Sequence, residues 1–141
     1  MTTERRARSA KLILVVDDEP ACRTALEDIL RCAGHEVHSA ETREEALAFV
    51  KRHAYDVVVL DNNLSGSSFS HDGLDVLCAI KARSQATKVV IVTGYGSAML
   101  ALAARELGAI SYFEKPVPLA IIIEALESLG VRCTSGAGGT D

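Results

Sequence analysis

Five residues carry groups suited to joint chemistry: Asp17, Asp18, Asp61, Thr93 and Lys115. Each follows a short apolar run. LILVV stops at Asp17-Asp18-Glu19-Pro20, VVVL stops at Asp61, the run from Lys88 to Val92 stops at Thr93-Gly94, and the run from Ile110 to Phe113 stops at Glu114-Lys115-Pro116. Three carboxylates gathered in one place repel, and at least one resists ionising. A hard divalent cation removes that penalty; Mg²⁺ takes oxygen ligands, keeps several waters and commonly shares its site with a phosphate. An ammonium and a hydroxyl suit the remaining phosphate oxygens. The set fits phosphoryl chemistry with Mg²⁺, a carboxylate nucleophile, a lysine and a hydroxyl donor. Singly, each residue has an ordinary role: Asp17 or Asp18 as a helix cap, Asp61 and Thr93 in turns, Lys115 as a solvated charge. The coincidence at four strand ends is what carries the reading.

Such groups meet only if the runs are parallel strands of one sheet. Short Val- and Ile-rich runs bounded by polar residues read as strands buried on both faces. Between them lie amphipathic segments. Cys22, Ala25, Leu26, Ile29, Leu30 and Ala33 keep helical spacing after Pro20, and Gly34 stops them. Asp18 is the expected cap of that helix. His35 to Ala40 is a more polar strand, as at a sheet edge. Thr42 with Glu45 forms a capping box, with Ala46, Leu47 and Val50 inward. Gly73 to about Ser84 is helical, with Leu74, Leu77 and Cys78 on one face; Ser97 to Leu107 and Leu119 to Leu129 complete the helices. The expected fold is α/β: a doubly wound, five-stranded parallel sheet with five helices and right-handed crossovers. Residues 1–10 read as a flexible arm, 11–130 as one folded domain, and 131–141 as a flexible Gly/Ser-rich tail with no core to join.

The 141 residues suit one core, and 48% hydrophobic with 24% charged residues is ordinary for a globular chain. A net charge of −4 argues against nucleic acid as a direct partner. No apolar run approaches the roughly 18 residues of a membrane span, so no membrane partner is expected. The start is too polar for a signal peptide, and four cysteines without metal-ligand spacing read as reduced thiols, so a cytoplasmic location is expected.

VVDDEP, VVLDNNL, VTGYGSA and GAISYFEKP resemble, in order, four signatures of the response-regulator receiver domain of two-component signalling. The resemblance spans about Lys11 to Gly130. It implies a flavodoxin-like sheet of order 2-1-3-4-5 and a phosphorylation-dependent switch rather than a classical enzyme, catalysing only its own phosphorylation and dephosphorylation. It makes Asp61 the phosphoacceptor, with a sensor histidine kinase or histidine phosphotransfer protein as donor. It makes Asp17, Asp18, Asp61 and the backbone of Asn63 the Mg²⁺ site. Thr93 and Lys115 become the phosphate contacts, and Thr93 and Tyr112 the switch pair. It also implies a cis bond before Pro116.

Two features depart from the family or extend it. Ser65 stands where proline is usual, and Gly73 comes twelve residues after Asp61, later than is usual. The extra loop, with Ser65, Phe69 and His71, is expected to form a lid beside Asp61; Phe69 suits an apolar anchor for a partner or for the loop itself, and His71 reads more readily as a solvent-exposed loop histidine than as a group reaching the site. Unbroken apolar runs from Met99 to Ala104 and from Leu119 to Ile123 suggest a homodimer face including Met99, Leu102, Ile121 and Ala125; helix propensity of alanine and a wide core contact explain them equally well. Other readings are a pseudo-receiver that binds an unidentified downstream protein without phosphorylation, a receiver belonging to a transcriptional regulator, and a flavodoxin-like phosphatase. Against the last, Asn63 stands where such phosphatases place a second Asp.

Overall fold

A computed structural model describes residues 10–62, 72–94 and 97–133. Five strands alternate with five helices. They are β1 (Leu12–Val16), α1 (Pro20–Cys32), β2 (Glu36–Ala40), α2 (Arg43–Arg52), β3 (Val57–Leu60), α3 (Asp72–Arg83), β4 (Lys88–Thr93), α4 (Ala98–Glu106), β5 (Ser111–Glu114) and α5 (Leu119–Ser128). The sheet is wholly parallel, in the order β2-β1-β3-β4-β5. Both the class and the order match the sequence reading.

The period of two along each central strand divides the interior into two cores. Leu14, Val16, Val58, Leu60, Val89 and Ile91 face one cluster, completed by Ala46 and Val50 of α2, Val76, Leu77 and Ile80 of α3, and Ala104 of α4. The alternate residues Ile13, Val15, Val57, Val59, Val90 and Val92 face the other, completed by Leu26 and Leu30 of α1 and Leu126 of α5. These strands therefore need apolar residues at every position, which is why they read as unbroken runs. Polar β2 lies at the edge, and its Glu36 is exposed.

Local signals act as their chemistry requires. Thr42 Oγ1 accepts from Glu45 N–H at 3.1 Å, and Glu45 accepts in return from Glu41 N–H at 2.8 Å. Gly34 ends α1 at φ +100°, a conformation that a Cβ would strain.

Four expectations need correction. Glu19, not Asp18, is the N-cap residue of α1, and its side chain makes no capping bond. Cys22 and Cys78, expected inward, are exposed; the inward positions of α3 are Gly73, Val76, Leu77 and Ile80. Cys133, assigned to the tail, is the buried thiol. Nor does the core end at Gly130: Val131 and Cys133 pack into the α1/α5 cluster.

The tail correction has a polar cause as well as an apolar one. His35 is buried, and its Nδ1 accepts from Lys11 N–H at 2.9 Å while Nε2 lies 2.6 Å from the carbonyl of Arg132. Because the first contact needs an acceptor and the second a donor, His35 is the Nε2–H tautomer. One ring thus ties the entry to β1 to the segment after α5. Among the described residues no helix is long and apolar enough to cross a membrane.

Candidate functional site

Six polar residues are buried among those described: Asp17, His35, Asp61, Asn62, Thr87 and Thr93. Four of them, Asp17, Asp61, Asn62 and Thr93, stand at or just past the carboxyl ends of β1, β3 and β4. Burying polar groups is costly unless they are paired, so their concentration along one edge marks a site. In open α/β sheets that edge is where ligands bind.

Backbone bonds extend the sheet just far enough to place the acids. Asp17 N–H donates to Ala40 O at 3.0 Å, and Asp61 N–H donates to Val16 O at 2.9 Å. Each aspartate is thus held by the ladder one step past its strand. Carboxylate oxygens of Asp17, Asp18 and Asp61 all lie within 4.8 Å of one another. Asp17 Oδ1 also accepts from Glu19 N–H at 2.9 Å, and the Asp17 carbonyl accepts from Arg23 Nη1 at 2.8 Å. These contacts fix both the side chain and the carbonyl of Asp17.

Lys115 crosses to the acids from the end of β5. Its Nζ lies 3.2 Å from Asp17 Oδ2, 3.3 Å from Asp61 Oδ2 and 3.3 Å from Glu19 Oε1. Burial acts to lower the lysine pKa, but the charges of Asp61 and Asp17 outweigh it and hold the ammonium above its ordinary range. Burial, then the neighbouring Asp17 charge, pushes the Asp18 carboxyl up. A hydrogen bond from Cys22, then the contact with Lys115, pulls Glu19 down. The peptide bond between Lys115 and Pro116 is cis, as the resemblance implied.

Thr93 is fully buried on the neighbouring strand. Leu60 is in register with Ile91, so Asp61 stands level with Val92 and Thr93 is one step beyond. The Thr93 carbonyl accepts from Lys115 N–H at 2.7 Å, joining the ends of β4 and β5. Tyr112 is half-buried on β5, and its hydroxyl accepts from Ser97 N–H at 3.3 Å. Ser97 in turn caps α4 by accepting from Leu100 N–H at 3.0 Å. Tyr112, one of the expected switch pair, therefore sits beside the start of α4.

The structure brings Asp17, Asp18, Asp61 and Lys115 into one cluster, with Thr93 on the adjoining strand end. Asn63, Ser65, Phe69 and His71 lie outside the described residues. Met99 and Leu102 on α4 and Ile121 on α5 are exposed, whereas Ala125 is half-buried. Sequence reasoning missed Asn62, Arg23 and the lysine contact of Glu19. Asn62 O accepts from Gly73 N–H at 3.1 Å, and its Oδ1 accepts from Leu74 N–H at 3.1 Å, tying the residue after Asp61 to the start of α3. A Cβ on Gly73 would meet Asn62 Cα at 2.3 Å, so the pairing demands glycine. The signal for Asn62 was present, since a residue beside Asp61 that accepts from a helix start is an ordinary use of asparagine.

The donor set suits a hard divalent cation: three carboxylates converge, and one faces solvent at the rim. Asp17, Asp18 and Asp61 would hold it.

Comparison with known proteins agrees with this geometry. Residues 13–127 match the family model for the response regulator receiver domain. The acid tolerance regulatory protein ActR of Rhizobium meliloti (strain 1021) is 36% identical over 116 residues, covering 82% of this chain and 58% of the relative. This chain thus spans little more than half of that relative's length. A CheY-like receiver domain protein from Methanospirillum hungatei JF-1 superposes with a TM-score of 0.75 at 30% identity, covering 85% of this chain and 94% of the other. A response regulator protein from Burkholderia pseudomallei, solved with a phosphorylated aspartic acid, calcium ion and citrate, gives 0.72 at 27% identity, over 85% and 68% of the two chains. With its parallel sheet in this strand order and its acids and lysine gathered at one edge, the chain belongs to the response regulator receiver domain family.

Proposed function

We propose that this receiver domain takes a phosphoryl group onto Asp61 from a phosphohistidine and passes the change to the face formed by α4, β5 and α5. The observation that carries the reading is the Lys115 ammonium held against Asp17 and Asp61 within the acid cluster. A Mg²⁺ ion on Asp17, Asp18, Asp61 and the backbone of Asn63 would neutralise the attacking carboxylate and the phosphoryl oxygens. An Asp61 oxygen attacks phosphorus in line; the P–O bond forms as the P–N bond breaks, and the electron pair leaves with the imidazole nitrogen. Lys115 pairs with the negative charge on the phosphoryl group, and Asp17 keeps the lysine in place. Such transfer depends on positioning and charge neutralisation more than on proton transfer.

Phosphorylation adds about one to two negative charges and three acceptor oxygens. Thr93 supplies a hydroxyl to them, and Tyr112 follows through its bond to the start of α4. A two-state equilibrium moves only as far as the new contacts favour one state. The partners on this reading are a sensor histidine kinase or histidine phosphotransfer protein and a downstream protein, in the cytoplasm. Exposed Met99 at 79%, Leu102 at 55% and Ile121 at 38%, with half-buried Ala125 one turn after Ile121, support a homodimer on that face.

The test is intact mass after incubation with acetyl phosphate and Mg²⁺. Wild-type protein gains one phosphoryl mass, and Asp61→Asn gains none. A wild-type chain that stays unmodified, or equal labelling of the variant, overturns the reading. Sedimentation with and without a beryllofluoride mimic tests the dimer; a monomer in both conditions rejects it.

A further inference from the structure

On the α1/α5 side of the sheet, the acid cluster opens into a cavity of about 780 Å³. Val59 and Val92 of the sheet, Ala21 and Ala25 of α1, and Leu119 and Ile122 of α5 line it. Its origin lies in the helix sequences. Both helices start at the rim, and their well-buried anchors sit farther along: Leu26 and Leu30 on α1, Leu126 on α5. Near the rim α1 offers only the small side chains of Ala21, Cys22 and Ala25, and Leu119 opposite remains 36% exposed. The helices are held to the sheet at the far end and leave a gap at the near one.

The volume falls within the roughly 300–1,000 Å³ of small-molecule sites, and the walls are apolar as such sites require. The mouth is different. Asp17, Asp18, Glu19 and Asp61 line it with Lys115, four carboxylates against one ammonium. An anionic head there meets net repulsion, and a neutral head gains nothing from the charge. We propose that the cavity binds a small molecule with an apolar body and one cationic head, an aliphatic amine in its ammonium form. The body fills the space between α1 and α5, and the ammonium sits against the carboxylates at the mouth. Because Asp17 and Asp18 also serve the divalent site, the ligand and Mg²⁺ exclude each other. Binding of the amine does not depend on Asp61 accepting a phosphoryl group.

The probes are n-alkylammonium ions from butyl to octyl, titrated into the methyl-labelled full chain without phosphodonor and followed by NMR. Expected are saturable shifts at Val59, Val92 and Ile122, with affinity rising about fourfold per added methylene until the cavity is full. The matching n-alkyl sulfates bind at least tenfold more weakly, and added Mg²⁺ weakens the ammonium ions. Ala25→Leu intrudes from the α1 wall into the space the apolar body would occupy and lowers ammonium affinity at least tenfold. It keeps its folded spectrum and its labelling by acetyl phosphate, whereas Asp61→Asn loses labelling and still binds the amine. Shifts that never saturate, sulfates that bind equally well, affinity indifferent to Mg²⁺, or a folded Ala25→Leu that binds like wild type would each overturn the assignment.

Discussion

Replacing Lys115 by methionine tests whether the acid cluster acts as a single electrostatic unit. The ammonium touches two buried carboxylates, on Asp17 and Asp61, at 3.2 and 3.3 Å. The third partner, Glu19, is largely exposed and adds little. At an effective dielectric constant of about 20, each close contact is worth about 5 kcal/mol before the cost of desolvation is subtracted. Carboxylate oxygens of the three aspartates lie within 4.8 Å of one another, and at that dielectric each pair repels by at least about 3.5 kcal/mol. Removing one partner of a buried ion pair commonly costs about 3 kcal/mol, because the charge left behind is uncompensated. Lys115→Met is therefore expected to destabilise by about that amount, and Asp61→Asn alone, which relieves repulsion, to stabilise by about 1 kcal/mol. In the Asp61→Asn background the lysine is balanced mainly by Asp17, and its removal is expected to cost only about 1 kcal/mol. The coupling of about 2 kcal/mol is roughly a thirtyfold change in the folding equilibrium. Urea unfolding of the four chains at neutral pH without divalent cation measures it. If Lys115→Met costs the same in both backgrounds to within about 0.5 kcal/mol, the cluster is not a coupled unit.

Three further outcomes follow from named contacts. Gly73→Ala drives a Cβ to within 2.3 Å of Asn62 Cα, so a loss of about 2 kcal/mol in urea unfolding is expected, together with slower labelling at neighbouring Asp61. His35→Ala leaves Lys11 N–H and Arg132 O without their ring partner. Stability is expected to fall by about 2 kcal/mol, with faster amide exchange after α5, and unchanged exchange there would count against the clasp. Thiol titration of the native chain near pH 8 is expected to give three accessible equivalents, from Cys22, Cys32 and Cys78, and one slow equivalent from Cys133. Burial, with help from the Glu127 charge, pushes the Cys133 thiol up to about 11, so its rate should keep rising with pH well above 9; four equal rates would refute the buried placement.

The strands could be read because β1, β3 and β4 are covered on both faces, so their composition alone separates them from the helices between them. The positions of Asp17, Asp61, Thr93 and Lys115 followed from the same boundaries, since a parallel sheet collects all its carboxyl ends on one edge. Helix faces were less legible. Cys22 and Cys78 satisfy helical spacing beside the buried Leu26 and Leu77, yet how closely each part of a helix approaches the sheet is set by packing, and a small thiol tolerates either environment.

Linear order by itself settled the element types, the parallel class and the identity of the groups at the rim, because those depend on local pattern and on the single edge a parallel sheet offers. Only the tertiary structure decided that Lys115 lies between Asp17 and Asp61, that Asn62 accepts from the start of α3, and that Val131 and Cys133 complete a core begun more than a hundred residues earlier. Each of these is a contact between chain segments that lie in different elements, from twelve to more than a hundred residues apart. Their distances are set by how the helices pack and by where buried polar atoms find partners, and neither leaves a periodic mark on the chain.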